Sequence, residues 1–362
     1  MPPGALAEHL SDLIRTAGPI SIARYMAEAM GHPRLGYYMS RDPIGRSGDF
    51  ITAPEVSQMF GELIGLWCAT VWDVMGRPDP VILAELGPGR GTLMADALRA
   101  AAKVPGFREA SRLHLVETSP TLRKKQRAAL ERHQVSWHDN FDGVPDAPLL
   151  LVANELFDAL PIRQFERTRG GWCERLVDTG PACHEFRLVL GTPSDAHPLP
   201  DRFHGAPLGA VCEVSPAGLA LAETIGARVA RDGGAALIID YGALDSAPRE
   251  TLQSVRGHKG HEVFEAPGEA DICAHVDFGQ LSEAARRSGA AIHGPVEQGR
   301  FLQALGIGAR AAALAKGATP ADADAVRSGL ARLTEPAQMG SLFKVLAISH
   351  PGLIPPGFED VP

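Results

Sequence analysis

Between residues 80 and 160 the apolar positions fall into short runs, and a stretch of helical spacing follows each one. VILAEL (81–86), RLHLVE (112–117) and LLLVANE (149–155) are the runs, and VSWHDNF (135–141) is a shorter strand with its turn. Unbroken apolar runs of this length fit strands buried on both faces, as in parallel sheets covered by helices. Thr92–Ala102 and Pro120–Arg132 carry the helical spacing between them, the second opening on the start signal Ser119-Pro120.

The period changes after Pro161. RQFER, WCERLVD and HEFRLVL alternate polar and apolar positions and are separated by GG, GP and proline-rich turns, which predicts an antiparallel insertion over 162–207. The strand and helix alternation then resumes. EVSPAGLALAETIGARVARDGG predicts a helix with a glycine stop, AALIIDYG a strand, Phe278–Ser288 a helix, 297–335 a mostly helical region, and SLFKVLAIS a last strand. Upstream, Leu6, Leu10, Leu13 and Ile14 share a helical face, Ser21 caps a second helix running to Met30, and 57–75 reads as a strong helix. The expected organisation is an N-terminal helical or lid region (1–78), an α/β core (79–161 and 208–350) and the insertion.

Composition narrows the function classes. The 362 residues are 45% hydrophobic and 22% charged, ordinary for a globular chain. A net charge of −8 argues against a general basic face for nucleic acid. The cluster Arg123, Lys124, Lys125 and Arg127 reads as a solvated helix face. Cys68, Cys173, Cys183, Cys212 and Cys273 form no CxxC pair and are odd in number, which fits reduced thiols. No apolar run approaches the length of a membrane span, and the first residues read as neither a secretory signal nor a transit peptide.

The candidate chemistry begins at ELGPGRG. Gly87, Gly89 and Gly91 sit between a buried strand and a helix, where open α/β sheets bind ligands, and the helix start offers free N–H groups. Glu117 ends the second strand, where an acid meets ribose hydroxyls; the alternative is an acid that caps the next helix. Glu85 precedes the glycines by two residues. Methyltransferases of the common α/β class carry an acid there that places the methionine ammonium, whereas a dinucleotide pyrophosphate would be repelled. Asp139 and Asn140, after the third strand, sit where such enzymes contact adenine. The reading is S-adenosyl-L-methionine rather than NAD. His258 and His261 with Glu262 lack the HExxH order, and no metal is expected.

GDFITAPEVSQMFGELIG, ELGPGRGTLMADALR, VETSPTLRKKQ, ANELFDALPI, ADICAHVDF and LTEPAQMGSLFKVLAI occur in this order. Together they resemble the MidA-type family, which includes a mitochondrial complex I assembly factor that methylates arginine; the likeness runs from about Ile20 to Ile348 and suits a bacterial member. It implies a class I, Rossmann-like α/β methyltransferase fold whose last strand is antiparallel. It implies methyl transfer to arginine nitrogen, giving symmetric dimethylarginine on the NADH:quinone oxidoreductase subunit corresponding to the 49-kDa subunit. It also implies a cytoplasmic location, with the mitochondrial matrix for eukaryotic relatives; a homodimer is open to it.

Arginine stays protonated, so its methylation calls for acids that pair with two guanidinium nitrogens, aim the third and help the proton leave. ANELFDALP supplies them at the carboxyl edge of the sheet: Asn154 beside the cofactor, Glu155 on the guanidinium, and Asp158 helping if the segment turns helically. His275, in ADICAHVDF, either passes a proton or is a hydrogen-bonded structural group. Asp49, Thr52 and Glu55, in GDFITAPE, either face the cofactor from a lid or shape a loop that caps the following helix. Asp240 and Tyr241 end a strand at the same edge. The rival readings are a small-molecule methyltransferase, an NAD(P)-dependent oxidoreductase, and an assembly chaperone that binds without turnover.

Overall fold

The computed structural model describes residues 4–40, 43–45, 48–181, 185–194, 197 and 199–358. It divides into two compact units, one made of 1–50, 158–220 and 245–277 and the other of 51–157, 221–244 and 278–362. These boundaries cut the chain differently from the sequence pattern. Residues 51–78 belong with the α/β unit, and 245–277 belong with the unit that holds the antiparallel strands.

Among the described residues, seven strands follow one another along the main path of the α/β unit's sheet: β1 (Val81–Leu86), β2 (Ser111–Val116), β3 (Val135–His138), β4 (Leu149–Asn154), β5 (Gly234–Ala243), β6 (Ala291–Glu297) and β7 (Phe343–Ser349). Their spatial order is β6-β7-β5-β4-β1-β2-β3. The pairs β3–β2, β2–β1, β1–β4 and β4–β5 are parallel; β7 runs antiparallel to both β5 and β6. This is the class I methyltransferase arrangement. Every residue of β1 and β4 is buried, as unbroken apolar runs require. The chain leaves β1 towards β2 on one side and reaches β4 on the other. This reversal opens a crevice at the carboxyl ends of those two strands.

Helices α1 (Gln58–Val74), α2 (Thr92–Ala101) and α3 (Pro120–Ala129) belong to this unit, as does α4 (Ile307–Ala315). The core joins Phe60, Ile64, Trp67 and Leu93 to Leu83, Leu150, Leu237 and Val345. Helix α1 lies very close to α2. A Cβ built on Gly65 would stand 2.3 Å from the Ala97 carbonyl oxygen, and one on Gly61 would stand 2.8 Å from Asp96 Cβ. Only residues without a side chain let the backbones approach so far.

In the other unit the helices Ala5–Ala17 and Ile22–Gly31 pack through Leu10, Ile22, Tyr25 and Met26. Ser21 caps the second helix by accepting from Arg24 N. The alternating segments pair antiparallel: Arg163–Thr168 lies between Gly171–Thr179 and Val211–Val214, and Phe186–Leu190 pairs with Gly171–Thr179. A separate three-stranded sheet joins Gln253–Arg256 to Lys259–His261 and Asp271–Cys273. Cys68, Cys173, Cys212 and Cys273 are buried, and Cys183 lies outside the described residues.

Candidate active site

Strand β1 ends at Leu86, and the chain turns through Gly87, Gly89 and Gly91 with φ of 64°, 53° and 84°. These are left-handed conformations that glycine adopts without the clash a Cβ brings. A Cβ on Gly87 would also meet Leu156 Cδ1 at 3.0 Å. Helix α2 starts directly after Gly91, so its unpaired N–H groups lie at the turn.

Two buried acceptors lie at this edge without partners. Among the described residues, Glu85 Oε2, near the end of β1, and Asn154 Oδ1, at the end of β4, accept no hydrogen bond. Their strands are neighbours, with Leu86 paired to Ala153. Burial, with the Glu117 carboxylate nearby, pushes the Glu85 pKa up to about 8. Leaving two buried acceptors unpaired is costly, and a cationic ligand carrying N–H donors relieves both.

Glu117 follows β2 and is 8% exposed. Burial raises its pKa, while bonds from Ser119 N (2.8 Å) and Gln126 Nε2 (3.0 Å) oppose the rise. Its carboxylate thus accepts from the capping residue of α3 and from a side chain within that helix, and it is buried rather than the surface acid of the capping alternative. Gln126 gave no signal beyond its place on the buried side of an otherwise cationic helix. It is fully buried, donates to Gly89 O at 2.8 Å and to Glu117, and accepts from Trp137 Nε1. One side chain thus ties the glycine turn to the acid.

The structure gives Asp139 and Asn140 other partners. Asp139 is largely exposed and pairs with Arg123 at 2.6 Å. Asn140 caps the short turn Phe141–Gly143 by accepting from Gly143 N.

Glu55 and Thr52 belong to the short helix Ala53–Val56 and its cap. The Glu55 carboxylate accepts from the Thr92 hydroxyl, and its other oxygen stands 3.6 Å from the Arg90 guanidinium. It braces the glycine turn and the first residue of α2. Asp49 lies in the other unit, where its carboxylate accepts from Tyr37 Oη (2.6 Å) and Gly257 N (2.7 Å). These bonds shape its own loop.

Glu155, the residue after β4, has φ of 52°. Its Oε1 accepts from Ala53 N (2.9 Å) and Asn154 Nδ2 (3.1 Å). The segment from Glu155 to Asp158 forms no helical turn, so the shared helical face expected for these two acids does not exist. Asp158 falls in the unit of the antiparallel strands, where its carbonyl accepts from Ala274 N. His275 is in that unit too, its backbone N–H donating to Thr251 Oγ1 at 2.8 Å. Near it, Asp271 accepts from Tyr38 Oη at 2.8 Å; burial, with Asp49 nearby, pushes its pKa up to about 6.

His9, Glu28 and His32 also cluster, with their ligand atoms within 4.8 Å of one another. All three already have partners: Glu28 lies 3.3 Å from His9 Nε2 and pairs with Arg24, and His32 Nδ1 accepts from Arg34 N and Leu35 N.

The family model that matches residues 63–296 is described as "Putative S-adenosyl-L-methionine-dependent methyltransferase". The mitochondrial protein arginine methyltransferase NDUFAF7 homologue of Drosophila melanogaster is 40% identical, over 99% of this chain and 88% of its own length. The human NDUFAF7 protein arginine methyltransferase is 36% identical, over 95% of this chain and 83% of its own. A crystal structure of a Burkholderia thailandensis protein with S-adenosyl-homocysteine bound superposes with a TM-score of 0.84 at 31% identity, covering 98% of this chain and 92% of that one.

This chain belongs to the NDUFAF7, or MidA-type, methyltransferase family. It is an S-adenosylmethionine-dependent enzyme, and the turn fits that cofactor by its own chemistry. The two unpaired acceptors at Glu85 and Asn154 suit a ligand with an ammonium group, and the glycines leave the backbone open to it. Among the described residues no helix is long and apolar enough to cross a membrane.

Proposed function

We propose that this methyltransferase acts on an arginine side chain of a protein, and that its acceptor is the NADH:quinone oxidoreductase subunit corresponding to the 49-kDa subunit, dimethylated symmetrically during assembly. The observation that carries the arginine reading is Glu155. It is a carboxylate at the carboxyl end of β4, one residue past Asn154, held by two donors on one oxygen. Relatives named as protein arginine methyltransferases at 36–40% identity support it.

The cofactor supplies an activated methyl group on a sulfonium. The chain must then deliver a nucleophile in line, and much of the acceleration comes from holding it aligned. A guanidinium remains charged at neutral pH, its pKa being above ~12. Glu155 pairs with it, aims the reacting nitrogen and favours loss of its proton. Asp158 and His275 are the further candidates for orienting the guanidinium and accepting that proton. Glu85, Asn154 and Glu117 hold the cofactor, with Gly87, Gly89 and Gly91 shaping its seat. Asp49, Thr52, Glu55, Asp139 and Asn140 are the outer candidates.

The test is Glu155→Gln, assayed with the recombinant subunit and radiolabelled S-adenosylmethionine. The expected result is a turnover loss of about 100-fold or more, with S-adenosylhomocysteine affinity changed less than about threefold. Unchanged turnover with intact cofactor binding sinks the role of Glu155. Labelling of small metabolites in place of the subunit would instead support a small-molecule enzyme.

A further inference from the structure

The chain that follows β4 is held by a side chain from its neighbour. Glu155 N donates to Ile239 O at 2.9 Å, the last backbone bond of the β4–β5 pairing. The next two amides turn away from that ladder. Leu156 N (3.1 Å) and Phe157 N (2.8 Å) both donate to Asp240 Oδ2, while Asp240 Oδ1 accepts from Tyr241 N at 2.8 Å. Asp240 is fully buried and follows Ile239 directly on β5. Its carboxylate therefore takes up the two amides that follow the end of the strand pairing.

Between these two sets of bonds sits Glu155, in the left-handed region. A side chain rarely stays there unless its surroundings dictate it. Here they do. The Ile239 carbonyl holds the amide of Glu155 and Asp240 holds the two amides that follow, so the peptides on either side have fixed directions. The φ of 52° aims the side chain at Ala53 N and Asn154 Nδ2.

We infer that Asp240 is a positioning residue for methyl transfer: it locks the strand exit and thereby holds Glu155 in the left-handed conformation that presents its carboxylate. The inference rests on the proposed catalytic role of Glu155 and deepens it. A displacement of about 1 Å at a reacting group costs on the order of 100-fold in rate, so a lock that acts only through Glu155 matters to turnover.

The experiment is a double-mutant cycle on the full chain, using Asp240→Ala, Glu155→Gln and the double variant with the recombinant subunit as acceptor. Asp240→Ala alone is expected to lower turnover about 30- to 100-fold, with the KM for acceptor and the affinity for S-adenosylhomocysteine each moving less than about threefold. In the Glu155→Gln background the same change is expected to cost less than about threefold, because the group it positions is already gone. Full additivity overturns the proposal while leaving Glu155 catalytic. A harmless Glu155→Gln removes the catalytic reading and the positioning role with it.

Asp240→Asn covers the case in which the alanine variant does not fold, since its amide oxygen still accepts from Leu156 N and Phe157 N. It is expected to fold and to lose less activity than alanine; an asparagine variant as impaired as Glu155→Gln, and additive with it, counts against the lock. Amide hydrogen exchange supplies a readout without any acceptor. In the Asp240 variants the amides of Leu156 and Phe157 are expected to exchange faster while those of Leu150–Ala153 stay protected. No change there overturns the inference.

Discussion

Glu85 sits near the carboxyl end of β1 with one oxygen unbonded, and its pKa in the ligand-free protein is pushed up to about 8 by burial and by the Glu117 carboxylate. At pH 7 it is therefore mostly protonated until a cationic ligand arrives. On the proposed contact of Glu85 with the ammonium of S-adenosylmethionine, binding displaces that proton, so affinity rises with pH from about 6 to about 7.5, below the range where the ligand's own amino group loses its proton. Calorimetry at pH 7 in buffers of different ionisation enthalpy should register close to one proton released. Glu85→Gln should remove that release and weaken binding roughly tenfold, an ordinary cost for a lost charge-assisted bond. Proton release that persists in the variant would assign the titration elsewhere. Linkage also sets a stability trend. The raised pKa contributes stability that is full below the ordinary carboxyl range and is lost as pH rises through about 8. The ligand-free protein should therefore melt lower at pH 8.5 than at pH 6, with a smaller difference in Glu85→Gln.

At the scale of elements, α2 opens where the glycine turn ends and packs tightly against α1. Gly61 and Gly65 on α1 admit the backbone of α2 at Leu93 and Ala97, where any Cβ would overlap it. The obstacle at Gly65 is a carbonyl oxygen and main-chain carbon, which cannot rotate away as a flexible side chain can. Gly65→Ala should force the helices apart and destabilise the fold by roughly 1–3 kcal/mol, the usual cost of overpacking. Helix propensity alone would favour alanine by about 1 kcal/mol, so the sign of the change tests the packing directly. Thermal denaturation of the ligand-free protein is the measurement; an unchanged or raised midpoint would mean the helices have room.

At the scale of the folded α/β unit, Glu62 joins three helices. It projects from α1, is 3% exposed, and accepts from Arg99 on α2 and from Arg310 on α4, the latter at 2.6 and 2.9 Å. Burial alone would raise its pKa, but the two guanidinium groups outweigh burial and hold it below the ordinary glutamate value. Its contribution is thus present above about pH 4.5 and is lost as pH falls through the lower folded value. Glu62→Gln should cost roughly 2–3 kcal/mol at pH 7, since both arginines lose their charged partner. That deficit should shrink below about pH 4. Denaturant titrations of both proteins at pH 7 and at about pH 3 give the comparison, and a deficit independent of pH would rule out the ion pairs as its source.

The sequence by itself determined the class of fold and the identity of the cofactor. Val81–Leu86 and Leu149–Asn154 are apolar throughout because central parallel strands bury both faces, and that demand is written locally along the chain. The same holds for the glycines after Leu86, whose left-handed angles exclude most side chains, and for Glu85, Glu117 and Glu155 at or near strand ends. Strand β6 was not legible. AIHGPVE contains glycine and proline, and its pairing shifts register between His293 and Val296, so no period survives. The strands within 253–273 are too short and polar to stand out from a loop. What only the tertiary structure decided are partnerships between residues far apart in the chain. Gln126 reaches Gly89, Glu62 reaches Arg310, and Asp240 reaches Leu156 and Phe157. A hydrophobic pattern records how each residue meets water; it does not record which polar group will satisfy a buried donor once distant segments meet. The left-handed φ of Glu155 belongs to that second kind of fact, because a glutamate has no local preference for it and takes it only where its neighbours leave no other path.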